Sequence, residues 1–339
     1  DLTAALLGEP QTVLATRGNL NSAQGVPVTV LGLAARHRYA VVEMGASAVG
    51  HIAARCAVAR PRVGVITNAA AAHLEEFGSL ADIIEGKGEM VAALPADGTA
   101  VLNADSPGFA DWCDRAPCPV VSWGRETGDH RWSSEPGDAG AAGWLVLDGK
   151  RWPVPLPGAH NAANLCAAIL AARAAGRDEQ AMRHGLSSFR ASDHRGDLRR
   201  LGGRLLLDDR YNANPESMRT AVRALLDLPG GEAVAVLGHM AELGPESDEL
   251  HRQCGHDLVA LGLRRLVAVG EQTRPLADGF TAAGGAVTLV GGHAEAADLL
   301  AADTAPGDRL LLKGSRSASM ETVLKELITR HGWREETHS

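Results

Sequence analysis

Two short apolar runs, each followed at once by a polar loop, constrain this chain more than any other feature. The runs cover residues 39–42 and 63–67, and both are rich in the β-branched residues that are typical of buried strands. Glu43 follows the first run, and Asn68 and His73 follow the second. In open parallel α/β sheets, ligands bind beyond the carboxyl ends of the strands. The sequence therefore predicts one carboxylate and one imidazole at the functional edge of such a sheet.

Glu43 and His73 together offer a hard oxygen and a neutral nitrogen, which suit a Mg²⁺ ion that also carries phosphate oxygens and water. Alternatively, the carboxylate caps a neighbouring helix and the imidazole is hydrogen-bonded within its own loop. Lys87 lies on the next predicted helix, which Ser79 and Asp82 are expected to open as a capping box. From the residues alone, both interpretations stay open.

Length and composition exclude several classes of protein. A chain of 339 residues predicts two domains, and a formal net charge of −8 argues against a nucleic-acid partner. No apolar run reaches the length of a membrane span. The five cysteines are odd in number and scattered, which indicates thiols in a reducing cytoplasm rather than a disulfide framework.

The order of predicted elements gives the domain organisation. Strands and helices alternate through residues 1–190, which predicts a central domain with a mostly parallel sheet and helices on both faces. Within it, residues 120–157 are expected to form a small antiparallel insertion with a hairpin at residues 148–150. Residues 189–196 are predicted to form a linker. The alternation of strands and helices restarts over residues 197–335, which predicts a Rossmann-like α/β C-terminal domain.

Glycine-rich nucleotide signatures do not occur in the sequence. There is no GxxxxGK[ST] motif, and no GxGxxG fingerprint that would support a dehydrogenase. Any phosphate-binding residues are therefore expected at scattered positions in the sequence.

Nine short motifs of this sequence resemble those of the Mur ligases and occur in the family's order. They are TRGNLNSAQGVP, VVEMGAS, TNAAAAHLEEFGS, KGE, LNADS, LPGAHNAANLCAA, DDRYNANPESM, LGHMAELG and LLKGSRSASME. The resemblance covers essentially the whole chain, and YNANPESM, MAELG and KGSRS are most similar to the branch of the family that adds D-alanyl-D-alanine. The family has a UDP-sugar domain, a central ATPase domain and a C-terminal domain. The residues here are similar to the last two, and the start resembles the helix that follows the family's P-loop.

The resemblance implies an ATP-dependent ligase of peptidoglycan precursor synthesis, with ATP and Mg²⁺ as cofactors. ATP would phosphorylate the carboxylate of a UDP-N-acetylmuramoyl-tripeptide, and the amine of D-alanyl-D-alanine would attack the acyl-phosphate. Such chemistry needs positioning and charge neutralisation. The expected protein is a cytoplasmic monomer without a nucleic-acid partner or a membrane span. Because the P-loop is expected to lie outside these 339 residues, we expect the residues alone to have no measurable ligase activity.

The resemblance also assigns the site residues. Glu43 and His73 match the family's Mg²⁺ ligands, and Lys87 matches a lysine that is carbamylated in many members and then assists the metal. The expected catalytic groups are Lys87, His73 and Arg195. The residues expected to bind ATP are His160, Asn161 and Asn164 at the base, Arg195 at the phosphates and Asp209 near the ribose. The residues expected to face the two substrates are Asn19, Asn21, Asn212, Asn214, Lys313, Ser315 and Arg316.

Some of these positions have simpler interpretations, and some depart from the family's pattern. Asn161 and Asn164 also suit a polar helix start, and Arg195 suits a surface charge. Arg210 stands where the family usually has a small polar residue, and His239 replaces a common aspartate. Rival functions are another amide ligase of the superfamily, such as one that adds a single amino acid or a folylpolyglutamate synthetase, and a non-catalytic remnant that binds nucleotide or a partner.

Overall fold

The fold consists of two α/β units. The structure, a computed structural model, describes residues 1–69, 78–137, 143–190 and 195–336. The first unit comprises Asp1–Glu135, Trp144–Pro155 and His160–Arg190, and nearly all of the second unit lies in residues 195–336. Each unit has its own hydrophobic core.

The first unit alternates strands and helices and then ends in an antiparallel extension. Its elements are α1 (Leu2–Leu7), β1 (Val13–Ala15), α2 (Gly25–Leu31), β2 (Tyr39–Val41), α3 (His51–Ala59), β3 (Val63–Ile66), α4 (Leu80–Ala92), β4 (Thr99–Asn103), α5 (Phe109–Arg115), β5 (Val120–Gly124), β6 (His130–Glu135), β7 (Trp144–Leu147), β8 (Lys150–Pro153), α6 (Ala159–Ala174) and α7 (Glu179–Ser187). Strands β1 and β2 pair in parallel. The other six strands form one sheet in chain order, parallel from β3 to β6 and antiparallel from β6 to β8.

The predicted insertion over residues 120–157 is therefore partly wrong. Strand β5 continues the parallel sheet, and β6, which was not predicted, carries it into the antiparallel part. The hairpin between β7 and β8 is confirmed. Asp148 and Gly149 have φ angles of 52° and 72°, as the favoured two-residue hairpin turn requires.

Helix α6 forms the centre of the first unit's core. Ten of its residues are buried, and the helix shows no apolar stripe because it is covered on several sides. Three large indoles from the neighbouring strands pack into the same cluster: Trp123, Trp132 and Trp152.

The second unit has one seven-stranded sheet. Its elements are β9 (Asp197–Leu201), β10 (Arg204–Asp208), α8 (Pro215–Asp227), β11 (Ala233–Leu237), α9 (Ser247–Ala260), β12 (Arg265–Val269), α10 (Arg274–Ala282), β13 (Ala286–Val290), α11 (His293–Asp303), β14 (Arg309–Lys313), α12 (Glu321–His331) and β15 (Glu335–Glu336). The strand order is β13-β12-β11-β14-β10-β9-β15. The five strands from β13 to β10 are parallel, and β9 and β15 are antiparallel at one edge.

Two glycines let α9 and α10 approach closely. A Cβ at Gly255 would stand 2.3 Å from the carbonyl oxygen of Leu276, and one at Gly279 would stand 2.0 Å from that of Arg252. Any larger residue at either position would push the two helices apart.

The parallel strands β10, β14 and β11 lie side by side, so their carboxyl ends meet at one edge. Three loops therefore share that edge, at residues 209–214, 314–320 and 238–243. This is the edge where open α/β sheets bind ligands. No helix in the described part of the chain is long and apolar enough to cross a bilayer.

Candidate active site

Glu43 stands at the carboxyl end of β2 and is held there by two polar contacts. Its backbone N–H donates to Thr16 Oγ1 at 2.9 Å, and its Oε1 accepts from Asn21 Nδ2 at 2.8 Å. Asn21 in turn lies against Gly45, whose N–H donates to the Asn21 carbonyl oxygen at 3.0 Å. The side chain of Glu43 is exposed, so the carboxylate is oriented and remains accessible to a ligand.

Lys87 reaches from α4 to the carboxyl end of the neighbouring strand β3. Its Nζ donates to the carbonyl oxygen of Asn68 at 2.7 Å, so the amine does not project into bulk solvent. Burial lowers the pKa of this lysine from its usual value, because the surroundings disfavour the charged form. A lysine with a lowered pKa has more neutral amine at physiological pH, and the neutral amine is the form that reacts with CO₂.

Sequence reasoning missed three side chains that shape the loops after β2 and β3. Glu89, one half-turn from Lys87 on α4, accepts from the backbone N–H groups of Gly50 and Ala53, the latter at 2.9 Å, and so caps the N-terminus of α3. Asn103 Nδ2 donates to the Thr67 carbonyl oxygen at 2.8 Å, and Ser106 Oγ accepts from the Ala69 N–H at 3.0 Å. The signal was present in the sequence, because these residues belong to the KGE and LNADS motifs.

The capping box predicted at Ser79 forms in part. Ser79 Oγ accepts from the Asp82 N–H at 3.1 Å, which satisfies one free donor of α4. The Asp82 carboxylate, however, accepts from the Ser79 hydroxyl at 2.6 Å and is not seen to reach back to the backbone.

The donor set around Glu43 fits Mg²⁺. His73 lies outside the described residues, and among those described no three His, Cys, Asp or Glu side chains cluster as a metal cage would require. Mg²⁺ commonly takes only one or two protein carboxylates and keeps water and substrate phosphates for its other positions. The accessible, oriented carboxylate of Glu43 suits that ion, whereas a closed zinc site would need more ligands.

The residues predicted to meet the nucleotide base lie on the first turns of α6. Asn161 is 7% exposed, and Asn164 Nδ2 donates to its Oδ1 at 3.4 Å, so the structure brings the two amides together. His160 is exposed beside them. A buried amide at a helix start can present a fixed polar group to a ligand.

Arg195 and Asp209 belong to the second unit. The guanidinium of Arg195 lies over the Tyr211 ring, 3.8 Å from its centroid, and its side chain is exposed. Burial raises the pKa of the Asp209 carboxyl, although the ammonium of Lys313, 2.6 Å away, opposes that shift.

Lys313 is buried and holds the loop that follows β10. Its Nζ donates to Asp209 Oδ2 at 2.6 Å, to the Asp209 carbonyl oxygen at 3.3 Å and to the Asn212 carbonyl oxygen at 2.8 Å. An ammonium has three hydrogens, and here each has a partner within the loop. Lys313 thus holds this loop in its shape, and its predicted role in facing the substrate stays a prediction.

The two asparagines of the same loop differ in role. Asn214 caps α8: its Oδ1 accepts from the Ser217 N–H at 2.8 Å, and Ser217 Oγ accepts from the Asn214 N–H at 3.0 Å, which completes a capping box. Asn212 Oδ1 accepts from the Ala213 N–H at 2.8 Å, and the rest of this side chain is exposed. Asn212 thus remains available to a ligand, whereas Asn214 shapes the loop.

The loop after β14 carries the other predicted substrate residues. Ser315 is buried and its N–H donates to the His239 carbonyl oxygen at 2.9 Å, which ties this loop to the one after β11. Arg316 is exposed on the same loop. Asn19, in the first unit, is exposed and its carbonyl oxygen accepts from the Asn21 N–H at 2.7 Å.

Arg210 does not stand among these loop side chains. Its guanidinium pairs with Asp208 through Nε at 2.6 Å and Nη2 at 3.0 Å, and both side chains are buried. The pair is bidentate, which fixes the direction of the guanidinium. Arg210, which stands where the family usually has a small polar residue, is thus accommodated by its pairing with the buried Asp208.

The comparisons with known proteins agree on one family. The Mur ligase middle domain matches residues 1–172, and the Mur ligase glutamate ligase domain matches residues 194–316. A relative from Escherichia coli (strain K12), named UDP-N-acetylmuramoyl-tripeptide–D-alanyl-D-alanine ligase, is 36% identical; the match covers 96% of this chain and 73% of the relative. The relative of that name from Bacillus subtilis (strain 168) is 30% identical, with 97% and 72% covered.

Solved structures give the same result. The chain superposes on MurF from Acinetobacter baumannii with a TM-score of 0.86 and 31% identity, covering 96% of this chain and 73% of the other. For the MurF ligase from Thermotoga maritima in complex with ADP, the TM-score is 0.83 at 28% identity, with 96% and 75% covered. The chain belongs to the Mur ligase family.

Proposed function

We propose that the protein, as its host produces it, carries out the ATP-dependent joining of D-alanyl-D-alanine to a UDP-N-acetylmuramoyl-tripeptide, in peptidoglycan precursor synthesis. The observation that carries the proposal is the 30–36% identity, over nearly the whole chain, to relatives that bear the name of that ligase. Folylpolyglutamate synthase and single-amino-acid ligases of the superfamily are at or below 20% identity, which supports a shared fold alone.

The reaction passes through an acyl-phosphate. The terminal carboxylate of the tripeptide attacks the γ-phosphorus of ATP, and ADP leaves. The amine of the dipeptide then attacks the acyl carbon, loses a proton, and inorganic phosphate departs as the amide forms. The protein's task is to hold these groups in line and to neutralise charge on the transferred phosphoryl group.

In the first unit, Glu43 would hold Mg²⁺ with Asn21 fixing its orientation. When bound, the ion neutralises charge on the phosphate oxygens. Asn161 and Asn164 would hold the nucleotide base, with His160 beside them. Asn19 would face the UDP-linked substrate.

Lys87 would act from the carboxyl end of β3. As a carbamate it would present a carboxylate in place of an ammonium, and its lowered pKa supports that modification. The roles of His73 in metal binding, of Arg195 at the phosphates and of Asp209 near the ribose stay predictions that rest on the resemblance.

The second unit would select the dipeptide. The loops after β10, β14 and β11 share one edge of its sheet, where Asn212 and Arg316 are exposed and Ser315 is buried. Lys313 and Asn214 would give the first of these loops its shape.

We infer further that the protein acts in the cytoplasm, where its ATP is available, and that it acts as a monomer. Light scattering of the purified protein at micromolar concentration tests the second inference. A mass of two or more chains would refute it.

Release of inorganic phosphate tests the function. The protein, as its host produces it, should release phosphate from ATP only when both UDP-N-acetylmuramoyl-tripeptide and D-alanyl-D-alanine are present. Single amino acids and L-alanyl-L-alanine serve as controls for the amino substrate. Phosphate release that needs only one substrate, or that prefers a single amino acid, would overturn the proposal.

A further inference from the structure

Three side chains at the edge of the second unit's sheet form a continuous hydrogen-bonded cluster. His239 Nε2 lies 2.9 Å from Ser317 Oγ, and Ser317 Oγ lies 3.1 Å from Ser315 Oγ. His239 belongs to the loop after β11, and the two serines belong to the loop after the adjacent strand β14. We call these residues the histidine–serine cluster.

The residue between the two serines is a cation without an ionic partner in the described part of the chain. Arg316 is exposed, and no carboxylate among the residues the structure describes comes within ion-pair distance of its guanidinium. Ser317 is exposed beside it, whereas Ser315 is buried behind. An unpaired guanidinium next to hydroxyl groups is a suitable partner for a carboxylate.

The backbone of both loops is held in unusual conformations. Ser319 and Glu242, one in each loop, have φ angles of 48° and 60°, which residues other than glycine seldom adopt. Such strain persists where the surrounding structure enforces it, and it is concentrated at ligand sites.

The surroundings of His239 favour a neutral imidazole. Burial and the nearby His251 lower the pKa of His239. His251 is itself fixed, because its Nε2 accepts from the Met240 N–H at 2.9 Å and its Nδ1 lies 2.8 Å from the Ser247 carbonyl oxygen. In a neutral His239 whose Nε2 carries the proton, that N–H donates to Ser317 Oγ; where the Ser315 hydroxyl also donates to Ser317 Oγ, the Ser317 hydroxyl is free to donate outward.

We propose that Arg316 and Ser317 bind the free carboxylate of the incoming amino compound, and that His239 positions the Ser317 hydroxyl for that contact. The inference rests on the proposed function, which supplies D-alanyl-D-alanine as the amino compound. Its amine must approach the acyl-phosphate, so its carboxylate lies at the far end of the molecule and needs a partner elsewhere.

The type of residue at position 239 matters to this arrangement. An imidazole N–H donates to Ser317, whereas a carboxylate at the same place would accept the serine hydroxyl and turn it away from the ligand. It would also place a second negative charge beside the bound carboxylate. His239→Asp should therefore weaken carboxylate binding more than His239→Ala does.

Steady-state kinetics on the protein, as its host produces it, test the assignment. Arg316→Gln and Ser317→Ala should each raise the KM for D-alanyl-D-alanine about tenfold or more, since each removes a hydrogen bond to a charged group. The KM for ATP should stay within about twofold, since these contacts concern the dipeptide alone. His239→Gln, which keeps an N–H donor, should recover most of the loss seen in His239→Ala.

The C-terminal amide of the dipeptide provides the decisive comparison. Because the amide lacks the carboxylate, the unaltered protein should use it poorly, and the Arg316 and Ser317 variants should use it no worse than the unaltered protein does. His331→Gln, a change at a surface ion pair with Asp298, serves as a control that should alter neither KM. Circular dichroism confirms that each variant is folded.

The outcomes separate the inference from the proposed function. Two results would show that the carboxylate assignment is wrong while the function stands, provided that the unaltered protein turns over. In the first, the variants use the amide less well than the unaltered protein does, by the same factor as for the free acid. In the second, their KM for the dipeptide does not change. If the unaltered protein does not join the dipeptide at all, the proposed function fails and the assignment falls with it.

Discussion

Replacing Lys313 by methionine should destabilise the second unit by about 3–5 kcal/mol. The Lys313 side chain is 3% exposed, and the substitution keeps its approximate length but removes the ammonium that donates to the loop at residues 209–212. The carboxylate of Asp209 would then be left without its partner. Because that carboxylate keeps 23% of its exposure, we expect the loss to fall near 3 kcal/mol, the lower end of the range.

The loss should depend on pH in a defined direction. Burial already raises the pKa of Asp209, and removal of Lys313 takes away the main influence that opposes the shift. A carboxyl with a folded-state pKa above its unfolded value is most stabilising below the unfolded value, and that contribution is lost as pH rises through the folded pKa. The loss of unfolding free energy in Lys313→Met, relative to the unaltered chain, should therefore be larger at pH 7 than at pH 4.

Urea unfolding followed by circular dichroism and by amide hydrogen exchange within residues 195–336 measures the effect. The two units can unfold separately, so hydrogen exchange assigns the change to one of them. Lys313→Met combined with Asp209→Asn removes both charges and should recover most of the stability. An equal deficit at both pH values, or no recovery in the double variant, would refute the account of Lys313 as the partner of a buried carboxylate.

Three other predictions follow from hydrogen bonds of the described chain. Asn214→Ala should lower the stability of the second unit by about 0.5–2 kcal/mol in thermal unfolding, because it removes the N-cap of α8, while Asn212→Ala should change it little. Glu89→Gln should destabilise the first unit by about 1 kcal/mol, since a charged cap of α3 becomes neutral; an unchanged melting temperature would contradict this. The protein incubated with ¹³C-bicarbonate should show a carbamate carbon resonance from Lys87 in its NMR spectrum, and this resonance should increase as pH rises through the lowered pKa of Lys87. The Lys87→Arg variant, which can keep the hydrogen bond to Asn68, should not show the resonance.

Much of the second unit's fold could be predicted because its strands are continuous apolar runs. The strands β11, β12 and β14 are buried on both faces between helices, and such strands are recognisable from composition alone.

The edge of that sheet could not be predicted in the same way. Strand β9 has the sequence Asp-Leu-Arg-Arg-Leu and is only half-buried. Two of its charged residues are paired, since Arg199 contacts Asp197 as well as Asp208 and Glu335. Strand β15 has two residues, both glutamates, and exists because it pairs with β9. Neither segment has the apolar alternation by which strands are recognised; both depend on pairing with a neighbouring strand, and the Arg199–Glu335 ion pair joins them.

Residue types at strand ends indicate where chemistry can occur, but they do not fix the direction in which a side chain points. Lys313 and Arg316 are three residues apart in one motif, and the sequence treats them as equivalent cations facing a substrate. In the structure the first is buried with three hydrogen-bond partners in the loop after β10, and the second is exposed with no ionic partner among the described residues. The difference arises from the sheet: Lys313 is the last residue of β14, where alternate side chains point to opposite faces, and Arg316 follows after the chain has left the strand. Because Lys313 lies inside the strand, its ammonium is directed to the interior, where the adjacent loop must supply its hydrogen-bond partners. Those hydrogen bonds in turn hold the loop in the shape on which the proposed ligand contacts depend.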